Sequence, residues 1–223
     1  MNIEQIIRQY YRPGTALYDI FMDHAEHVAQ KSIDIALRIP HLNPDTEFIQ
    51  EAAMLHDIGI FMTHSPSIHC TGEHPYVCHG FLGRKLMDSL GFPRHGLVCE
   101  RHTGAGITAE NIINNNLPLP CRDMVPVTIE EEIICFADKF YSKRAKWKGV
   151  EKSIDRIMDE MLKLDRLNSK YRDHPAKGLT SCITSHFEER SNGITSRFEE
   201  RSNPGNISHS ERFSGWIEKF LMH

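Results

Sequence analysis

Histidine and aspartate occupy positions in this chain where the helical pattern calls for leucine or valine. Residues 15 to 39 read as an amphipathic helix, with Thr15 as N-cap and Pro40 as its stop. Its apolar stripe runs Leu17, Ile20, Phe21, Val28, Ile35 and Ile39, and His24 lies on that stripe. A second helix follows Asn43-Pro44-Asp45 and places Ile49, Ala52, Ala53 and His56 on one face. A third, from about Tyr76 to Leu90, turns His79, Leu82, Gly83, Leu86 and Leu90 inward. It ends at Gly91-Phe92-Pro93, a C-cap glycine followed by proline. A short helix from about Arg94 to His102 breaks at Thr103-Gly104-Ala105-Gly106. Thr128 with Glu131 three residues later forms a capping box. The helix it opens carries Ile129, Ile133, Phe136, Ala137 and Phe140 inward, with Asp138 beside them. Further helices are expected over about 150 to 167 and 213 to 222. Residues 59 to 75 read as a loop, and no segment alternates as a strand does. The fold class is all-α, a helical bundle.

A buried polar group left without a partner costs about 1 to 3 kcal/mol. A single core histidine is ordinarily explained by one hydrogen bond. Here the departure recurs on helix after helix, at His24, His56, His79 and His102, with Asp57 and Asp138 beside them. One shared metal centre satisfies all six together, because neutral imidazole and carboxylate are ligands that Fe, Mn, Co, Ni and Zn accept.

These segments resemble the HD-domain superfamily of metal-dependent phosphohydrolases over about residues 15 to 145. His24 with Val28, Ala29 and Ala36 is similar to the first-helix motif. Ala53-Met-Leu-His-Asp-Ile-Gly59 resembles the hallmark His-Asp helix. His79 through Gly83 to Leu86, Glu100-Arg-His-Thr-Gly104 and Phe136-Ala-Asp-Lys139 follow in the family's order. The chain departs from many relatives at Ile60, where they carry lysine. The resemblance implies a bundle of five or more helices with the metals at its centre. Having histidines at 79 and 102 in addition to the minimal set, the chain matches the two-metal members. Asp57 would bridge the two ions, His24, His56 and Asp138 would complete one sphere, and His79 and His102 the other. Two divalent first-row ions are implied, Fe, Mn, Co or Ni first, with Mg or Zn acceptable.

Two close cations generate hydroxide from a bridging water near neutral pH and neutralise charge on a phosphoryl group. The expected reaction is hydrolysis of a phosphate ester or anhydride of a small molecule, a nucleotide, with Asp57 and Lys139 in catalytic roles. Lys139, Arg101 and Arg84 are the candidates for holding substrate phosphate. His64, His69 and His74 read as exposed loop residues, and His27 as a rim residue. Two other outcomes stay open. Some HD-fold proteins with two irons activate oxygen, and a binding module could hold metal or nucleotide without turnover.

Lys plus Arg number 26 against 30 for Asp plus Glu, a net charge of −4, so charge gives no lure for nucleic acid or an anionic membrane. No apolar run nears the roughly 20 residues of a membrane span, and no signal peptide stands at the start. Six cysteines without a CxxC pair read as reduced thiols of a cytoplasmic protein. Oligomeric state is not legible. Residues 1 to 179 are expected to form the helical domain and 212 to 223 a final helix packed on it. Between them, residues 183 to 193 and 194 to 204 are eleven-residue units that agree at nine positions. Two copies are too few for a solenoid, and 180 to 211 reads as a duplicated, poorly packed insert.

Overall fold

The computed structural model describes residues 2–144, 149–170 and 207–222. The duplicated units at 183–204, and with them most of the expected insert, lie outside the described residues.

The order of helices follows the apolar stripes. α1 (Ile3–Tyr10) precedes the long α2 (Ala16–Arg38), whose N-cap is Thr15, its hydroxyl accepting from the Tyr18 N–H. α3 (Thr46–Leu55) is capped by Asp45, and α4 (His79–Ser89) leads into α5 (Pro93–Arg101). The short α6 (Ala109–Asn114) precedes α7 (Ile129–Asp138), which the Thr128–Glu131 capping box opens as expected. α8 (Ile154–Lys170) and α9 (His209–Leu221) complete the described helices. None of them is long and apolar enough to cross a membrane.

The stretch from 59 to 75 is more ordered than a loop. β1 (Thr63–Ser65) pairs antiparallel with β2 (Cys70–Thr71) and parallel with β3 (His74–Pro75), with Thr63 opposite His74. Strands of two or three residues are too short for alternation to show in sequence. Cys70, Cys78, Cys99 and Cys135 are buried free thiols. Cys121 is not free, which corrects the reading of six reduced cysteines at that position.

Two apolar clusters flank the centre of the molecule. In one, Phe136 of α7 meets Phe213 and Phe220 of α9 at ring-centroid distances of 5.0 and 5.4 Å, with Val28, Ile49, Ala52 and Val98 around them. In the other, Tyr11, Phe21, Ala25, Leu55, Ile58 and Met87 pack together. Helices α2 and α3 contribute to both, so His24 and His56 fall where the two clusters meet. Burying these side chains supplies about 1.5 to 3 kcal/mol for each large apolar group, before entropy is charged.

Glycine sets how close α4 comes. A methyl group on Gly59 would strike the His79 carbonyl oxygen and stand 2.5 Å from the Gly83 nitrogen. One on Gly80 would stand 2.5 Å from the Cys99 carbonyl oxygen of α5. Backbone therefore lies directly on backbone at both contacts, which draws His79 toward the His56-Asp57 turn and toward His102.

The last helix begins earlier than expected, at His209 rather than at 212 or 213. Ser208 and Glu211 form a capping box, and Asp165 of α8 accepts from the His209 and Ser210 N–H groups at 2.8 and 3.0 Å. All four of the N–H groups that this helix start leaves without helical partners are thereby satisfied.

Two outcomes follow. Gly59→Ala should cost about 1 to 3 kcal/mol in chemical denaturation, since backbone rather than a movable side chain is struck. Asp165→Ala should cost about 1 to 2 kcal/mol, the scale of a lost helix cap. Burial raises the Asp165 carboxyl, but hydrogen bonds from Ser210 and His209 outweigh it and hold it below its ordinary value. Its contribution is thus complete above about pH 4 and disappears as pH falls through the lowered folded value. Wild type and Asp165→Ala should therefore converge in stability in acid; a gap that persists or widens there would refute the role assigned to this carboxylate.

Candidate metal centre

The six expected ligands converge, and most do so from helix ends. His24 lies in the middle of α2, but His56 caps the C-terminus of α3, His79 opens α4, His102 caps α5 and Asp138 ends α7. The C-termini of α3 and α5 leave carbonyls without helical partners, which His56 and His102 use, and His79 shares the carbonyl that ends the preceding turn. The Nδ1 atoms of His56, His79 and His102 lie 2.6, 2.7 and 2.7 Å from the carbonyl oxygens of Ala53, Tyr76 and Cys99, each three residues earlier. A carbonyl only accepts, so each Nδ1 carries a proton and each Nε2 is turned to the centre, where its lone pair is available whenever the ring is neutral.

Asp57, 1% exposed, sorts the ligands into two groups. Its Oδ2 stands 3.2 Å from His24 Nε2 and 3.1 Å from His56 Nε2. His24 Nε2 is also 2.9 Å from Asp138 Oδ1. The other oxygen, Oδ1, is 3.4 Å from both His79 Nε2 and His102 Nε2, which are 3.0 Å from each other. His24, His56, Asp57 and Asp138 form one group able to hold an ion, and Asp57, His79 and His102 another.

Neither Asp57 oxygen receives a well-formed hydrogen bond, and His24 Nδ1 has none either. A buried carboxylate without hydrogen bonds demands positive charge nearby. A donor set of imidazole and carboxylate, gathered around this buried anion, fits divalent metal binding.

The electrostatics agree. Burial pushes His79 down to about 3 and lowers His102, which keeps both rings in the neutral, ligating form. Burial also pushes His56 down, but Asp57 and Asp138 outweigh it and raise the ring to about 9. Asp57 and Asp138 lie well below the usual carboxylate range in spite of burial. Lys143 and His56 hold Asp57 there, and Lys139 and Lys143 hold Asp138.

Lys139, one of the expected catalytic and substrate-binding residues, is buried between two of these groups. Its ammonium donates to Asp138 Oδ2 at 2.6 Å and to the His102 carbonyl at 3.1 Å. The two arginines are placed differently. Arg101 donates to both oxygens of Glu131 at 2.8 and 2.9 Å, and Arg84 pairs with Glu100 and Asp88. Glu100 and Glu131 are buried, so they claim these cations first, and neither arginine lines the cavity beside the cluster. His64, His69 and His74 are exposed, and His27 bonds to the Asp23 carbonyl oxygen at the edge.

Lys143 is a residue that the sequence reading missed. Its Nζ is 2.5 Å from Asp57 Oδ2 and 3.9 Å from Asp138 Oδ1. The helix ends at Asp138, so neither helical spacing nor the adjacency to Asp138 that drew attention to Lys139 carries information five residues on. Tyr11 was missed too. Its hydroxyl donates to the Ile58 carbonyl at 2.8 Å and accepts from the Phe61 N–H at 3.4 Å, fixing the turn that bears Asp57.

Comparison with known proteins agrees with this geometry. A family model described as the HD domain matches residues 21–142, more than half of the chain. An uncharacterised protein of Methanocaldococcus jannaschii is 34% identical over 140 residues, covering 60% of this chain and 75% of the relative. A tRNA (cytidine(56)-2'-O)-methyltransferase of Picrophilus torridus is 32% identical over 174 residues, or 78% of this chain. The enzyme of the same name from Thermoplasma volcanium is 29% identical over 159 residues, or 66% of this chain. This chain spans only 42% of the length of each methyltransferase. No solved structure matches. With the His-Asp turn, the flanking histidines and the closing aspartate gathered in one buried cluster, the chain belongs to the HD-domain family.

Proposed function

We propose that this chain hydrolyses a phosphate ester or anhydride of a small molecule, a nucleotide, at a two-ion centre. The observation that carries the reading is Asp57, whose two oxygens face two separate ligand groups. His24, His56, Asp57 and Asp138 would hold one ion, and Asp57, His79 and His102 the other. Divalent first-row ions bound there supply Lewis acidity toward a phosphoryl oxygen and a water acidic enough to ionise near neutral pH.

The chain's own residues prepare that chemistry. Hydrogen bonds donated by Nδ1 to backbone carbonyls hold three imidazoles with Nε2 toward the cluster. Lys139 ties Asp138 to the backbone of His102, so ligands from α5 and α7 keep their spacing. Lys143 brings an ammonium to the edge of the cluster, where negative charge gathers as the ester bond breaks. Burial of the ligands keeps bulk water from weakening these interactions. In the reaction water oxygen joins phosphorus, the bond to the leaving oxygen breaks, and that oxygen takes up a proton. No serine or cysteine nucleophile is required, because the attacking group is water, which bound ions would make more acidic. Methyl transfer to tRNA is the named activity of relatives of which this chain spans under half, and the His/Asp cluster supports hydrolysis instead.

His56→Ala and Asp57→Ala should each lose metal and lower the hydrolysis rate by at least about a hundredfold, with helical circular dichroism retained. Loss of an outer-shell partner alone costs 10 to 100-fold, and a direct ligand matters no less. The check is elemental analysis of the purified protein alongside phosphate release from a nucleotide panel with Mn, Fe, Co, Ni or Mg. Turnover retained in both variants sinks the proposal. Two irons without phosphate release redirect it to oxygen chemistry, and absence of bound metal leaves a helical binding module.

A further inference from the structure

Beside the metal cluster lies a cavity of about 350 Å³, within the range of small-molecule sites. Asp138 forms part of its wall, so it opens onto the ligand cluster. Its charged lining is mostly basic: Lys139, Lys143, Arg144 and Lys152, against Asp138 and Glu160.

The partners of these cations show which charge is left for a ligand. Lys139 is spent on Asp138 and the His102 carbonyl. Lys143 faces Asp57 and Asp138, the carboxylates assigned to metal ions, so its charge is released to the cavity once ions neutralise them. Arg144 is exposed and has no carboxylate partner among the described residues. Lys152 pairs with Glu160 at 2.8 Å, but Glu160 also accepts Arg156 at 3.4 Å and is shared between two cations. Lys143, Arg144 and Lys152 thus outnumber the one remaining acid. A single phosphate held on the metal cluster has its charge met by the ions, and leaves this basic wall without a counterpart. The hydroxyls of Ser65 and Ser67 add donors, and Tyr76, Tyr141, Ile68 and Met161 give the same cavity an organic lining.

We propose that this cavity seats a second phosphate next to the one on the metal cluster, so that the substrate is a nucleotide carrying a pyrophosphate linkage rather than a monophosphate. The inference rests on the phosphohydrolase reading. Lys143 stands at the junction of the two phosphates, and Arg144 and Lys152 hold the outer one.

The test is calorimetric titration of the metal-loaded protein, freed of excess metal, with methylphosphonate and with methylenediphosphonate, whose bridging carbon resists hydrolysis. The diphosphonate is expected to bind about tenfold tighter or more, the scale of one added charge-assisted contact. In R144A/K152A that preference should collapse to about threefold or less, and Lys152→Gln alone should lower it part of the way. Equal affinities in the wild type, or a preference that survives the double substitution, overturn the inference. Phosphate release measured in parallel separates the two readings. Release from monophosphates without a diphosphonate preference keeps the hydrolase and removes the second site. A preference lost in R144A/K152A without release of phosphate from any nucleotide keeps the anion site and removes the hydrolase.

Discussion

The carboxylate of Asp57 is the demand around which this protein is arranged. It is 1% exposed and has no well-formed hydrogen bond to either oxygen. Taking such an anion out of water costs several kcal/mol even after relaxation. Four imidazoles, one ammonium and the ions they would admit are the answer the fold supplies. Each of these groups arrives on a different segment, so the requirement of one carboxylate fixes the mutual placement of α2, α3, α4 and α5 and of the chain beyond α7.

Helix ends meet that requirement better than helix middles. A histidine at or just beyond a terminus finds a carbonyl three residues back that can take its Nδ1–H, and that bond settles both the ring's direction and the position of the proton. Close backbone contact at Gly59 and Gly80 then brings the termini within ligand distance. The apolar clusters on either side hold the helices in place, and the polar centre specifies how far apart they stand.

Much of this was legible in the residues. The caps at Thr15 and Thr128 and the stripe through His24 follow from helical periodicity, which survives burial unchanged. The ligand set was visible because six polar groups on inward faces have few joint explanations. What escaped lies where no period operates. Lys143 follows a helix end, and the paired strands between Thr63 and Pro75 are too short to alternate. Ser208 and Glu211 were placed in the expected insert, yet they begin a helix. Arg84 and Arg101 were candidates for holding phosphate, and sequence does not reveal that each is paired with a buried carboxylate, Glu100 or Glu131.

The grip of Asp165 on the first turn of α9 has a bearing on how this gene could change. It fastens the tail to α8 at a defined point, while Phe213, Trp216 and Phe220 are locked into the core beyond it. Both attachments join residues on opposite sides of 171–206 directly to each other. Copying an eleven-residue unit between them changes the length of chain joining two anchors without displacing either one. Closure entropy grows only slowly with the length of the connection, so sequence added between these anchors leaves the contacts that hold the His/Asp cluster in place.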